Sequence, residues 1–238
     1  ALRLGVGRRV TLVGDVGATR MAAARGPLST DRTVATAGVS ATVRVRARLS
    51  LGAAARRSAF DETAALLLAG IDVATIGAEG EWEPFGRVSL AGGVERASLR
   101  GGSGPNVRTS GSGAVRWRAR RQLSLSVAGR TFSYEVLRRD GYFSPSRFQL
   151  AEAGARWTLG RDLGWTGAFE AAFGAQRVRL VGPATTKGTQ RFGVAVGFRP
   201  APGMEVGLDY GFSNVSSAAS EGTIYRAQVI SLRGRLHF

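Results

Sequence analysis

Hydrophobic residues alternate with polar or small residues along most of this chain. In segment 190–198, four apolar side chains occupy every second position, and Arg191 or a small residue fills each position between them. Segment 204–213 repeats the pattern, with Glu205 and Asp209 among its polar positions. A two-residue period is typical of a β-strand with two unlike faces. The proline-rich stretch 199–203 predicts a tight turn, so the two segments together predict an antiparallel hairpin.

The same alternation occurs about twelve times, and no segment has a convincing helical period; Asp61–Leu68 is the best helical candidate. The predicted strands are centred near residues 14, 40, 52, 72, 91, 115, 127, 153, 170, 194, 208 and 231. Short predicted connections alternate with longer polar ones. The short ones lie near 46–48, 83–86, 120–122, 160–162 and 200–203. The longer ones are 22–32, 100–110, 135–147, 182–188 and 214–222.

Short turns at one end and long loops at the other are typical of outer-membrane barrels. We therefore predict an all-β fold, a transmembrane antiparallel up-and-down β-barrel of about 12 strands, or 14 to 16 if strands are merged or missing. In such a barrel the apolar face meets lipid and the polar face lines the interior. Aromatic residues near the strand ends are expected to form interfacial girdles. These are Trp82, Phe85, Tyr134, Trp157, Trp165, Phe198, Tyr210, Tyr225 and Phe238.

The charge of the chain is strongly positive, with 33 Lys and Arg against 17 Asp and Glu and a net charge of +16. A clustered basic tail would indicate nucleic acid. Here the arginines recur singly or in pairs through the whole length and often at every second position, which places them on one side of strands. We therefore expect no nucleic-acid partner. The chain has one histidine, His237, and no cysteine, so we expect neither a metal nor a cofactor, and no enzymatic activity.

The polar face of the predicted strands is rich in arginine and carries fewer carboxylates. Arginines and carboxylates facing each other across strands are expected to form ion pairs that brace the wall, while the surplus of arginine favours an anionic or polar solute over a cation. The candidate lumen-lining residues are Arg44, Arg46, Arg56, Arg116, Arg118, Arg130, Arg156, Arg191, Glu152, Glu170, Glu205 and Asp209.

The last predicted strand ends in an aromatic residue. Ile230, Leu232, Leu236 and Phe238 share one face of this strand. This ending resembles the signal that the outer-membrane barrel assembly machinery recognises. The resemblance implies the assembly machinery and outer-membrane lipid as partners.

A second resemblance lies in the long connection between the seventh and eighth predicted strands, in the sequence Gly141, Tyr142, Phe143, Ser144, Pro145. This motif, followed by the closing strands, resembles the carboxy-terminal barrel of the outer-membrane subunit of bacterial cellulose synthase and its relatives. In that family a periplasmic tetratricopeptide-repeat region leads into an exopolysaccharide-secreting barrel. The resemblance implies an extracellular loop, polysaccharide as a partner and an upstream repeat domain. The aromatic pair either packs within the loop or stacks on sugar.

We expect residues 1–238 to form a single barrel domain of the bacterial outer membrane, the C-terminal part of a longer chain. Three functions compete. The first is a pore for export or diffusion of a polar polymer, most specifically exopolysaccharide, or of small solutes in general. The second is an outer-membrane lipase or protease, for which His237 lies at the wrong end of its strand. The third is a structural or adhesive barrel whose lumen is plugged.

Overall fold

The structure of the protein, a computed structural model, describes residues 2–7, 9–25, 28–59, 68–138, 142–160, 164–201, 204–215 and 227–236. These residues form thirteen β-strands. The strands are β1 Leu2–Val6, β2 Val10–Arg25, β3 Leu28–Arg46, β4 Leu49–Ala59, β5 Asp72–Phe85, β6 Val88–Arg100, β7 Asn106–Arg118, β8 Leu123–Tyr134, β9 Arg147–Gly160, β10 Gly164–Arg179, β11 Thr185–Arg199, β12 Met204–Ser213 and β13 Ala227–Leu236.

Each strand pairs antiparallel with its neighbours in sequence, in the single order β1 to β13. This up-and-down order confirms the predicted fold class. Each of the twelve predicted strand centres lies in or next to one of the strands β2 to β13, so the additional strand is the short β1. It pairs with the start of β2 through Leu4 and Leu12. Among the described residues no helix is long and apolar enough to cross a membrane.

The connections sort to the two ends of the strands. Residues 47–48, 86–87, 119–122, 161–163 and 200–203 join strands at one end, which we call the turn end. Residues 26–27, 60–71, 101–105, 135–146, 180–184 and 214–226 join them at the other, which we call the loop end. Most long connections therefore lie at one end, as the sequence predicts.

The segment 22–32 is not the predicted loop. It belongs to a hairpin in which β2 and β3 stay paired up to Arg25 and Leu28. Strand β4 pairs with β3 only as far as Ala37, so the tip of the hairpin extends beyond its neighbour. The residues of this segment are mostly polar or small at both alternating sets of positions, so the two-residue contrast that predicts a strand is weak there. The helical candidate 61–68 lies, except for Leu68, outside the described residues.

The two faces of the sheet differ as the alternation predicts. Residues directly opposite each other in paired strands share a face, and Phe169 is opposite both Trp157 and Val194. This apolar face, which we call the outer face, is exposed at most of its large side chains. The opposite face carries the charged residues and the buried cluster described below, so we call it the inner face.

All four tryptophans lie on the outer face near the turn end. Trp82, Trp117, Trp157 and Trp165 are between 48% and 69% exposed. Their position is typical of an interfacial girdle, and it includes Trp117, which the predicted girdle lacks. Tyr134 does not belong to such a girdle, because it is opposite Arg108 on the inner face and is buried. Tyr225 and Phe238 lie outside the described residues.

Candidate functional site

The predicted lumen-lining residues lie on the inner face. Arg156 is opposite both Ser124 and Glu170, and Arg116 is opposite Ser126. The remaining members keep the same alternation: Arg44, Arg56, Arg118, Arg130, Glu152, Arg191, Glu205 and Asp209. Arg46 lies beyond an irregularity in the pairing of β3 with β4, where strict alternation stops.

Ion pairs join part of this set across neighbouring strands. Glu170 lies 3.5 Å from Arg156, and Asp209 lies 3.5 Å from Arg233. Glu205 pairs with Arg199 at 3.1 Å. Arg199 was not among the predicted residues, although the alternation of β11 extends to it. The expected bracing ladder is therefore present on β9 to β13.

One of these ion pairs is mostly buried. The Glu152 side chain is 5% exposed, and its Oε2 lies 3.2 Å from Nε of Arg191, which is half exposed. The two residues are on β9 and β11 and reach each other across β10. Oε1 of Glu152 is buried and has no hydrogen-bond partner among the described residues. Burial of a charged group is costly unless it is paired, so Arg191 is the group that makes this carboxylate tolerable.

The predicted loop motif is folded against the inner face at the loop end. Tyr142, Phe143, Ser144 and Pro145 are each buried. Tyr142 and Phe143 belong to one apolar cluster with side chains from the inner face of four strands. Those strand residues are Ala97 and Leu99 of β6, Phe132 and Tyr134 of β8, Phe148 of β9, and Val178 of β10. Ile71 and Val215 join the cluster from two other loop-end connections. We call this group the loop-end cluster.

Aromatic rings form the centre of the loop-end cluster. Phe132 and Phe148 are opposite each other in β8 and β9, and their rings stack at a centroid distance of 4.5 Å. Phe143 packs edge-on against both at 6.2 Å, and Tyr142 packs against Tyr134 at 5.5 Å. Aromatic pairs in such geometries contribute about 0.5–1.5 kcal/mol beyond their burial. The aromatic pair of the motif therefore packs within the protein.

Arg130 lies at the boundary between the loop-end cluster and the polar part of the inner face. Its guanidinium carbon is 5.4 Å from the Phe132 ring and 5.5 Å from the Phe148 ring, which is cation–π distance. Toward the turn end from Arg130, Ala128 is opposite Glu152, which is the first of the charged residues in the middle of the inner face. The inner face thus has an apolar, filled loop end and a charged middle.

Two buried polar side chains fix the conformation of the loop. The Asn106 amide donates to the Val136 carbonyl oxygen at 2.7 Å, and its Oδ1 accepts from the Val136 amide at 3.0 Å. The Ser144 hydroxyl accepts from the backbone N–H of Arg138 at 2.8 Å and donates to the Arg138 carbonyl at 3.0 Å. Such saturated bonding offsets the cost of burying these groups.

Sequence reasoning missed Asn106, Phe132 and Phe148. A signal for the two phenylalanines was present, because they are apolar residues on the polar face of strands whose outer face is also apolar. Gly141 lies outside the described residues. Glu79 and Glu81 were also missed; both lie on the inner face of β5.

The predicted assembly signal is described only in part. Ile230 and Leu232 are opposite Tyr210 and Leu208 on the outer face, and both are more than 70% exposed. The backbone of Leu236 pairs with Met204. Phe238 lies outside the described residues.

Comparison with known proteins identifies a shared fold. No protein-family model matches the sequence, and no curated protein sequence matches it. A solved structure described as a bacterial polysaccharide outer membrane secretin aligns over 98% of this chain and 77% of its own, with a TM-score of 0.68 and 14% identity. The translocator domain of the autotransporter NalP from Neisseria meningitidis aligns over 99% of this chain and 90% of its own, with a TM-score of 0.43 and 12% identity. The first likeness shows that this chain has the fold of an outer-membrane β-barrel.

Proposed function

We propose that this protein is a pore of the bacterial outer membrane that passes a polar polymer, most specifically an exopolysaccharide, and has no chemistry of its own. The observation that carries the proposal is the difference in side-chain polarity between the two faces of the sheet. Valine, leucine, phenylalanine and tryptophan cover the outer face, while arginine, glutamate and aspartate lie on the inner face. Arginine at a bilayer midplane costs about 2–4 kcal/mol, so this distribution suits a barrel with lipid outside and water inside.

The orientation of the proposed pore follows from its two ends. Outer-membrane barrels have short periplasmic turns and longer extracellular loops. The turn end, with its tryptophan girdle, would then face the periplasm. The loop end, with connections 60–71, 135–146 and 214–226, would face outside. A polymer leaving the cell would enter among the charged residues and leave past the loop-end cluster.

Two likenesses support polysaccharide as the polymer. The resemblance of the Gly141–Pro145 motif points to the cellulose-synthase-type secretion barrels. The solved barrel with the same fold is described as a polysaccharide secretin. The aromatic side chains at the loop end are of the type that stacks on the C–H faces of sugars. They are buried among themselves, and for them to touch a sugar the loop would have to move.

A plugged structural or adhesive barrel is the second candidate, and the loop-end cluster is the observation that favours it. The cluster joins residues from the connection before β5 to the connection after β12. A lumen filled in this way at one end would block a large solute. The two candidates make opposite predictions for conductance.

The test is single-channel conductance of the refolded protein in a planar bilayer, with heat modifiability on gels as proof of folding. The Tyr142→Gly/Phe143→Gly variant removes two rings from the cluster, and Phe169→Leu is the matched control on the outer face. We expect steady openings that become larger in the double variant and stay unchanged in the control. Folded protein that is silent in both wild-type and double-variant form would show that the barrel is not a pore.

We also propose that the C-terminal segment is the signal for barrel assembly. Truncation of the last aromatic ring in Phe238→Ala is expected to reduce the amount of heat-modifiable barrel in cell outer membranes. Phe212→Ala, an aromatic change on β12, is the control for loss of an aromatic ring. Equal amounts of assembled barrel for Phe238→Ala and wild type would contradict this role.

A further inference from the structure

Arginine side chains gather at the turn end, from the inner face of β7 and β9 and from two adjoining turns. A depression between the turn-end parts of β5 to β9 is lined by Arg87, Arg116, Arg118, Arg120, Arg121 and Arg156, which we call the arginine cluster. The one carboxylate among its described lining residues is Glu83. The rest of the lining is polar or small, apart from Phe85, Val88 and Leu123.

Most of these guanidinium groups have no acidic partner in the part of the chain that the structure describes. Arg156 pairs with Glu170, and the other five form no ion pair with any described residue. All six are exposed. By contrast, Arg108 at the loop end of β7, on the same inner face, pairs with Glu95 at 2.7 Å. Unpaired like charges held together repel each other, and a bound polyanion would relieve this repulsion.

The placement of the cluster favours a solute inside the barrel over a membrane lipid. Trp117 lies between Arg116 and Arg118 in β7, and its side chain is on the outer face among the other tryptophans. The two arginines point to the inner face, about 7 Å apart along the strand. A row of cations at regular spacing matches a chain whose anionic groups repeat. Arginine binds carboxylates through two parallel hydrogen bonds.

We propose that the arginine cluster is the entry site for an acidic polysaccharide, a linear sugar chain with a carboxylate on its repeating unit. The inference rests on the proposed function for the direction of travel, and it narrows the polymer from polar to anionic. A neutral glucan would gain nothing from these guanidinium groups, and a cationic sugar chain would be repelled by them.

Binding can be measured on the refolded protein in zwitterionic detergent by isothermal titration calorimetry. The probes are hexagalacturonate, neutral cellohexaose and monomeric galacturonate. We expect hexagalacturonate to bind, with an affinity that falls as salt is raised, and cellohexaose to give no heat. We expect the monomer to bind far more weakly than the hexamer, because it occupies one guanidinium at a time.

The Arg116→Gln/Arg118→Gln/Arg156→Gln variant tests the location of the site. We expect it to lower the affinity for hexagalacturonate at least about tenfold, from the loss of three weak charge contacts. Arg177→Gln/Arg179→Gln, a charge change near the loop end of β10, is the control and should bind like wild type. Only variants that are heat-modifiable, and therefore folded, are compared with wild type. The comparisons among sugars and salt concentrations use the wild-type protein and do not depend on any variant.

Equal binding of cellohexaose, or of the monomer, would overturn the inference, as would unchanged affinity in the triple variant. These outcomes are separate from failure of the pore. A barrel that is silent in the bilayer but binds hexagalacturonate at the arginine cluster would refute the pore and keep the anionic site. A conducting barrel without this binding would keep the pore and refute the anionic site.

Discussion

The side-chain amide of Asn106 lies 3.0 Å from the hydroxyl oxygen of Tyr142 and donates a hydrogen bond to it. Asn106 begins β7, whereas Tyr142 belongs to the connection between β8 and β9. The same amide group also bonds both backbone polar groups of Val136. A single buried side chain thus ties the loop to the wall of the barrel. The position of the Tyr142–Pro145 segment therefore depends on a residue that is distant in sequence.

Asn106→Ala is expected to release this loop. The change removes the side chain that bonds the Val136 N–H and carbonyl, and loss of such a hydrogen bond costs about 0.5–1.5 kcal/mol. We expect faster trypsin cleavage in the connection 135–146 of folded protein, read by mass spectrometry of the fragments. Asn214→Ala is the control, because Asn214 makes the same kind of side-chain contacts to backbone, at Gln190 and Gly188, in an exposed connection. Equal cleavage of the 135–146 connection in both variants would show that Asn106 does not tether it.

Two adjacent residues of β8 test the assignment of the faces. Val127 is on the outer face and 60% exposed, whereas Ala128 is on the inner face opposite Glu152. Val127→Arg is expected to lower the free energy of unfolding in lipid vesicles by about 2–4 kcal/mol, because the charge would lie in hydrocarbon. Ala128→Arg places the same charge beside a carboxylate and should change it by less than about 1 kcal/mol. Urea titration followed by tryptophan fluorescence measures both values. The reverse order would mean that the faces are interchanged.

The close approach of β9 and β10 at Gly174 predicts a position where alanine is not tolerated. A Cβ added to Gly174 would overlap the carbonyl oxygen of Ala151 and come within 2.7 Å of the Glu152 Cα. Backbone atoms cannot move aside without a large cost in energy. We therefore expect Gly174→Ala to lower the free energy of unfolding by about 3 kcal/mol or more, or to prevent folding. Gly193→Ala on the neighbouring β11 is the control, since its nearest contact would be the Glu170 Cβ at 3.8 Å. The fraction of heat-modifiable protein after refolding is the measurement, and similar fractions for the two variants would contradict the close approach.

The buried Glu152 and its partner Arg191 should be energetically coupled. Arg191→Gln is expected to destabilise the barrel by about 1–2 kcal/mol, because the Glu152 carboxylate stays buried without its cation; the half exposure of Arg191 keeps the value modest. Glu152→Gln in the same chain should recover part of this loss. A double-mutant cycle by urea unfolding gives the coupling energy. The Arg156–Glu170 pair, exposed on both sides, is the control and should show a smaller coupling. A coupling energy for Glu152 and Arg191 no larger than that of the control pair would contradict the role of burial in this ion pair.

Local alternation along the chain was enough to predict the strands and their two faces. A strand repeats every two residues, and the contrast between Trp117 and its neighbours Arg116 and Arg118 is visible within three positions. The prediction was wrong where polarity lost this contrast. Residues 22–32 in the hairpin of β2 and β3 are mostly polar or small, and the short β1 offers too few residues for a period to appear.

The sequence by itself therefore determined the up-and-down strand order, the outer apolar face and the inner basic face, because each follows from the two-residue period and from connection length. Only the tertiary structure decided which side chains of the inner face contact each other. Phe143 meets Phe132 and Phe148, and Arg191 meets Glu152 across an intervening strand. Such contacts depend on the curvature of the sheet and on the path of a loop, and neither leaves a periodic signal. The loop-end cluster and the unpaired arginines of the turn end become visible only when distant strands are brought side by side.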